Sequence, residues 1–263
     1  MTEITILGCG TSTGVPLLQC KCAVCRSRNP RNQRLRASAW VRTGQKGRQK
    51  SLLIDSATDL RQQALRAKIP RIDAVLYTHP HADHVCGIDE LRSFNFLQRE
   101  VIPAYGNAWT ERELTGRFEY IFKRPEKVVG GGSPQLEFHR VDSRDPDFDA
   151  AGVSVIPLSL QHGSQECLGY RINSVAYVTD CHYIPPQTLD RLRGLKVLVL
   201  DCLRLEPHDT HLHLDRALEV ISELRPAKSY LTHLGHDFEY SRWSKKLPRG
   251  VGLAYDGLTL RAT

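Results

Sequence analysis

The stretch Leu76-Tyr77-Thr78-His79-Pro80-His81-Ala82-Asp83-His84 decides how this chain is to be read. Three histidines and an aspartate fall within six residues, directly after an apolar, β-prone run. Neutral imidazoles and carboxylates are the groups that hold a borderline divalent ion. His79 and His81 are two residues apart, so an extended or tightly turned backbone aims both at one ion. Asp83 and His84 follow too closely to share it comfortably, which points to a second ion alongside. Packing a core requires nothing of this kind.

Further along the chain, other ligand-type residues come just after apolar, strand-like runs. His162 follows the run Val155-Ile156-Pro157-Leu158-Ser159-Leu160, Asp180 follows Ala176-Tyr177-Val178-Thr179, and His233 follows Tyr230-Leu231-Thr232. Side chains at the ends of neighbouring strands converge on one edge of a sheet, where rigid elements hold them. Singly, each such residue is commonly a capping group. Together with the cluster at 79–84 they describe a site.

The surrounding pattern alternates strands and helices. Strands are expected at Ile4–Leu7, Ala74–Thr78, Val101–Tyr105, Gln135–Arg140, Val153–Ser159, Gly169–Ile172, Ala176–Thr179, Val197–Asp201 and Ser229–Thr232, with a hairpin of Ala37–Arg42 and Ser51–Ile54. Helices are expected at Asp59–Ala67 and at Leu214–Leu224, where Leu214, Leu218, Ile221 and Leu224 recur at helical spacing. Leu253–Ala254 and Leu258–Leu260 read as a final hairpin around Tyr255-Asp256-Gly257. The best candidate for a flexible break, Gly130-Gly131-Gly132-Ser133-Pro134, sits inside one continuous pattern. The reading is a single α/β domain over residues 1–263, with mixed sheets covered by helices.

Bulk properties narrow the class. Hydrophobic content of 41% and charged content of 25% fit a soluble globular protein. No apolar run approaches the roughly 20 residues of a membrane span. The segment Met1-Thr2-Glu3-Ile4-Thr5-Ile6-Leu7 lacks the basic and apolar regions of a signal peptide, so a cytoplasmic protein is expected. Eight cysteines without an export signal argue against a disulfide framework. Cys9, Cys86, Cys167, Cys181 and Cys202 are scattered and read as small buried hydrophobes. The net charge of +7 is uneven, because residues 21–50 hold ten Lys or Arg and no acid. Such a block either binds nucleic acid or a phosphate-bearing ligand, or is a solvated loop around Gly44–Lys50.

The series His79-Pro80-His81-Ala82-Asp83-His84, then His162, Asp180 and His233, resembles the ligand set of the metallo-β-lactamase superfamily over nearly the whole chain. The resemblance implies an αββα four-layer sandwich of two mixed β-sheets flanked by helices, with a dinuclear metal site on one edge. It also implies that His79, His81 and His162 bind one ion, that Asp83, His84 and His233 bind the other, and that Asp180 bridges them. Two divalent ions, zinc or manganese, share a water, lower its pKa by several units and present hydroxide at neutral pH. Asp83 is expected to orient that nucleophile as well as to act as a ligand.

Three local features narrow the branch. Cys20-Lys21-Cys22-Ala23-Val24-Cys25 lacks only a fourth ligand for a tetrahedral structural zinc, and His236, three residues after His233, is the natural one. The Gly8–Gly14 segment has no GxGxxG or Walker lysine, so its glycines are expected to let backbone approach the metal edge or the substrate. Thr210-His211-Leu212-His213-Leu214-Asp215 places two histidines ahead of a helix, either of which can give a proton to a leaving oxygen. Together these features resemble the PhnP-type branch, the phosphoribosyl cyclic phosphodiesterases.

That resemblance implies hydrolysis of a small, cyclic phosphodiester such as a phosphoribosyl 1,2-cyclic phosphate or a cyclic nucleotide. His211 is preferred to His213 as general acid, Arg204, His208 and Tyr183 are candidate substrate contacts, and a homodimer is the family-based expectation. A tRNA 3′-processing-type or other nucleic-acid phosphodiesterase is the alternative. The basic block favours it, and the lack of a long inserted arm opposes it. A β-lactamase or thiolester hydrolase accounts for neither the cysteine cluster nor His211. A non-catalytic metal-binding scaffold has no need of the complete ligand set.

Overall fold

The computed structural model describes residues 1–45, 47–123 and 132–262. Six strands come first: β1 (Thr2–Gly8), β2 (Ser38–Thr43), β3 (Lys50–Ile54), β4 (Ala74–Leu76), β5 (Ile102–Gly106) and β6 (Leu136–Arg140). They lie side by side in chain order, antiparallel from β1 to β3 and parallel from β3 to β6. A second sheet grows the same way from β7 (Phe148–Ala150), β8 (Val153–His162), β9 (Gln165–Ile172), β10 (Val175–Val178), β11 (Val197–Asp201), β12 (Lys228–Thr232) and β13 (Val251–Leu253). It is antiparallel up to β10 and parallel beyond. The last strand, β14 (Thr259–Ala262), returns to the first sheet and pairs with β1, so each sheet has seven strands among the described residues.

Period-two alternation sorts the side chains into layers. Ile4, Ile6, Leu52, Ile54 and Leu76 point into the core shared with the second sheet. Leu7, Leu53, Val75 and Tyr77 point the other way, against Leu60, Leu91 and Leu114 of the outer helices Leu60–Ala67, Leu91–Gln98 and Ala108–Arg117. β11 is buried along its whole length, as its unbroken Val-Leu-Val-Leu run requires. The helix Leu214–Leu224 buries Leu214, Ala217, Val220, Ile221 and Leu224. Helix, sheet, sheet, helix: the layers are those of an αββα sandwich.

Most expected strands form within a few residues of their expected limits, but one pairing does not. β13 joins β12 and β14 joins β1, so the two do not form a final hairpin. The connecting segment crosses between sheets because Asp256 accepts hydrogen bonds from the Cys9 and Leu35 amides, at 3.0 and 2.9 Å. Helices Leu91–Gln98, Ala108–Arg117 and Pro186–Arg191 and the strand β7 arise where no element was expected. Gly130 and Gly131 of the glycine run, and Lys46 of the Gly44–Lys50 loop, lie outside the described residues. No helix among the described residues is long and apolar enough to cross a membrane.

Candidate metal centre

The parallel strands of both sheets carry their C-terminal ends to one edge, and the ligand-type residues collect there. His79 stands just beyond β4, and His81 precedes the one-turn helix Ala82–Val85 that contains Asp83 and His84. His162 is the last residue of β8, Asp180 follows β10, and His233 follows β12 directly. Asp180 and His233 adopt left-handed backbone, at φ 57° and 59°, as does Asp55 after β3 at 62°. Non-glycine residues enter this region rarely, and here three do so at strand ends on one edge.

Two sets of donors face each other. The ligand atoms of His79, His81 and His162 all lie within 4.8 Å of one another, and so do those of Asp83, His84, Asp180 and His233. His79 Nε2 and His81 Nδ1 are 2.9 Å apart. Asp180 joins the sets: its Oδ1 is 3.2 Å from His233 Nε2 and 3.8 Å from His79 Nε2, while its Oδ2 is 3.3 Å from His84 Nε2. Asp83 Oδ2 is 3.2 Å from His84 Nε2 and 3.7 Å from His233 Nε2.

The hydrogen bonds behind these rings fix which nitrogen is free. Thr78 Oγ1 donates to Asp55, so it accepts from His79 Nδ1 at 3.0 Å and leaves Nε2 with its lone pair. His84 Nδ1 donates to Asp55 at 2.7 Å, and His162 Nδ1 donates to the Thr210 carbonyl at 3.0 Å. Nε2 of both His84 and His233 is buried without a hydrogen-bond partner among the described residues. Orphaned nitrogens aimed at carboxylates are costly unless a cation occupies the space between. The donor set therefore fits divalent metal.

Charge in the cluster agrees. Burial drives the pKa of His79 well below its ordinary value, and lowers His81 and His162 too, which keeps these rings neutral and ligand-competent. At His84 burial acts in the same sense, but Asp180, Asp83 and Asp55 overcome it and raise the pKa well above the ordinary value. Asp83 and Asp180 are held well below the usual carboxylate range, their neighbouring histidines outweighing the cost of burial. The concentration of buried carboxylate demands positive charge, which a cation meets better than a proton.

Two residues missed at sequence level organise this edge. Asp55 accepts from the Thr78 amide, the Thr78 hydroxyl and His84. Asp201, the last residue of β11, accepts from the amides of Asp180 and Leu212 and from His211 Nδ1, at 3.0, 2.9 and 3.4 Å. Both follow apolar strands, so the rule that located Asp180 would have found them. Trp109 adds an apolar wall, with its ring 5.6 Å from that of His81. Arg117 braces the His79–His81 turn by donating to the Pro80 carbonyl at 2.8 Å.

His211 joins the cluster. Its ring stacks on His233 with centroids 4.7 Å apart, and its Nε2 is 4.0 Å from Asp180 Oδ1. Burial opposes its protonation, but Asp201 prevails and its pKa is pushed up to about 9. His213 instead stands at the N-cap position of the helix Leu214–Leu224, without a side-chain capping bond, and belongs to none of the donor groups found among the described residues. His208 sits behind His211, ring centroids 5.3 Å apart, while Tyr183 is exposed beside Gln161.

A separate group forms from the N-terminal loop. His236 Nδ1 lies 3.3, 3.6 and 3.5 Å from the sulfurs of Cys20, Cys22 and Cys25. Tetrahedral zinc, with bonds of about 2.3 Å to sulfur and about 2.0 Å to nitrogen, spaces such ligands about 3.5 Å apart. The Cys25 amide donates to Cys22 Sγ and lowers that thiol to about 7, whereas burial raises Cys25 to about 11. The glycines of the preceding loop admit close backbone, chiefly that of residues 34–36. A Cβ at Gly8 would stand 2.0 Å from the Arg36 carbonyl and one at Gly10 2.8 Å from that of Arg34, so they admit the 34–36 backbone. Gly10 also bridges to Leu234, beside His233.

Four of the ten cations of the basic block are committed to the fold. Arg34 is buried and donates to the Gly235 and Phe238 carbonyls, Arg36 pairs with Asp59, Arg42 pairs with Glu3, and Arg31 lies over Tyr240 and Tyr255.

Comparison with known proteins places this geometry. A family model described as the beta-lactamase superfamily domain matches residues 50–234. A solved structure described as a new diphosphatase from the PhnP family is 41% identical, with a TM-score of 0.89 over 98% of this chain and 96% of that one. Zinc-bound PqqB from Methylobacterium extorquens has a TM-score of 0.76 at 19% identity, over 99% of this chain and 100% of its own. Human tRNase Z, short form, has 0.65 at 16%, over 98% of each. These last two share the fold alone. A protein of Porphyromonas gingivalis (strain ATCC BAA-308 / W83) named octanoyltransferase is 35% identical over 255 residues, 96% of this chain. The chain spans about half, 50%, of that relative's length.

Proposed function

Because the chain belongs to the PhnP family of the metallo-β-lactamase superfamily, we propose that it is a metal-dependent hydrolase of small phosphodiesters, with cyclic ribose phosphates and cyclic nucleotides foremost. The observation that carries this reading is the convergence of seven donor side chains on one strand-end edge, with His211 beside them. His79, His81 and His162 would hold one ion, Asp83, His84 and His233 the other, with Asp180 between. Two divalent ions held there supply Lewis acidity for a phosphoryl oxygen and for the attacking water.

The chain's own groups do the rest. Asp55 and Asp201 fix the ring orientations from behind. Asp83 orients the water, and His211, tethered through Nδ1 to Asp201, offers the proton on Nε2 to the departing oxygen. Trp109 keeps one side of the edge apolar. The Cys20, Cys22, Cys25 and His236 group would hold a structural zinc.

The engagement of Arg31, Arg34, Arg36 and Arg42 within the fold supports a small substrate over a nucleic acid. The PhnP-family relative described as a diphosphatase favours a second reading, in which the bond cut joins two phosphates. A turnover panel tests both. Chelator-stripped protein, restored with Mn²⁺ or Zn²⁺, is assayed on cyclic ribose phosphate, 2′,3′- and 3′,5′-cyclic nucleotides, bis-p-nitrophenyl phosphate, ADP-ribose, a lactam and pre-tRNA. We expect metal-dependent cleavage of a small phosphate compound. Hydrolysis that survives metal removal, or cleavage confined to the lactam or the tRNA, overturns the reading.

A further inference from the structure

Trp109 is a large aromatic residue without a place in the core. Of the chain's three tryptophans, Trp40 is buried on the outer face of the first sheet and Trp243 packs on the core between the sheets. Among the described residues Trp109 joins neither apolar cluster. Its half-buried ring lies instead at the metal edge, 5.6 Å from that of His81 and 6.2 Å from that of His79.

The position is rigid. Trp109 is the second residue of the helix Ala108–Arg117, whose start is fastened to both sheets. Asn107, directly after β5, accepts from the Thr110 amide at 2.9 Å and donates through Nδ2 to the Glu166 carbonyl of β9 at 2.8 Å. Glu113 and Arg117 follow Trp109 at intervals of four and so share its helix face. They pair at 2.7 Å, and Arg117 holds the Pro80 carbonyl at 2.8 Å. The face that carries the indole therefore lies along the His79–His81 turn. Arg204 has no such link to the donors: its Nε is held by the Glu206 carbonyl at 3.2 Å, beside a cavity of about 320 Å³ whose lining includes none of the seven.

An aliphatic side chain would keep water from this corner equally well. What an indole adds is a flat π-face, on which a planar ring stacks whatever its pattern of donors and acceptors. We propose that Trp109 stacks a planar base carried by the substrate, so that this enzyme prefers nucleotides to base-free sugar phosphates. The proposal rests on the hydrolase reading above and chooses between the two substrate classes named there. In a nucleoside cyclic phosphate, one sugar ring separates the base from the phosphorus. A phosphorus held between the two donor sets leaves the base within reach of a ring that adjoins His79 and His81.

Two matched pairs test this. The first sets 2′,3′-cyclic AMP against methyl riboside 2,3-cyclic phosphate, which has a methoxy group in place of adenine. The second sets ADP-ribose against its analogue with the same replacement. The readout is the ratio of kcat/KM, base-bearing over base-free, for metal-loaded wild type, W109A, W109L and W109F. Wild type should favour the base-bearing member of at least one pair. Trp109→Ala should lower that ratio about 5–100-fold, chiefly through KM, with Trp109→Phe recovering part of it. Trp109→Leu keeps apolar bulk without a π-face and should recover none. A ratio restored by leucine, a ratio unaltered by alanine, or no preference in wild type overturns the stack. Thermal melts and metal content identify a variant that misfolds, and the comparison of W109L with W109F then replaces W109A. Binding supplies a second readout: AMP should quench tryptophan fluorescence more in wild type than in W109F, and methyl riboside 5-phosphate should quench neither. No turnover of any phosphate compound overturns the hydrolase reading, and the quenching then decides the stack alone. Equal quenching of wild type and W109F overturns it.

Discussion

His211 and Asp55 show what single residues contribute at this edge. His211 should matter in proportion to the basicity of the leaving group. A sugar alkoxide needs a proton as it departs, whereas p-nitrophenolate does not. His211→Ala should therefore lose about 10²–10⁴-fold in kcat on a natural cyclic diester. It should lose far less on bis-p-nitrophenyl phosphate, with both metal ions retained by elemental analysis. Equal losses on the two substrates would reject the general acid. Asp55 lies behind the donors, bonding directly to the His84 ring and reaching His79 through Thr78. Asp55→Asn should weaken metal binding about 10–100-fold, read by competition with a chromophoric chelator. Unchanged affinity would place Asp55 outside the metal's support. The donors themselves were legible in sequence because each follows an apolar strand. Asp55 and Asp201 obey the same rule but stand alone, and a lone aspartate after a strand is ordinarily a cap.

The elements tell a similar story with different failures. The helix Leu214–Leu224 was legible because its buried positions recur at helical spacing. Leu91–Gln98 was not, because Phe96 and Leu97 are exposed and blur its apolar face. Ala108–Arg117 buries only Thr110 and Leu114, too few to set a period. The final hairpin was misread because Tyr255-Asp256-Gly257 has turn chemistry, with Gly257 at φ 91°, while the forces that separate its arms come from Cys9 and Leu35. Arg34 is the comparable long-range tie for the N-terminal loop. It binds the Gly235 and Phe238 carbonyls on either side of His236. Arg34→Met leaves those carbonyls unpaired in a dry interior, at a cost of about 2–5 kcal/mol. The expected outcome is a lower Tm together with loss of metal from the cysteine group. A variant with wild-type Tm and full metal content would show that the loop needs no such tie.

At the scale of the molecule, the two sheets were legible as a class but not as an arrangement. Strand-end chemistry foretold a converging edge, yet it carried no information on which strands neighbour which. Both sheets are built almost in chain order, which keeps most pairings between successive strands. Among the described strands only β14 departs from this, closing the first sheet after the second. The donors are divided accordingly. His79, His81, Asp83 and His84 belong to the first sheet's connections, and His162, Asp180 and His233 to the second's.

That division has a consequence in time. As the chain leaves the ribosome, the first four donors emerge long before the remaining three, and Cys20, Cys22 and Cys25 precede His236 by more than 200 positions. The seven-donor cluster is not whole until His233 has been made and the sheets have docked, nor is the cysteine group until His236 has followed. Metal uptake at either group would therefore await β12 and the residues that follow it, however early the histidines at 79–84 are made.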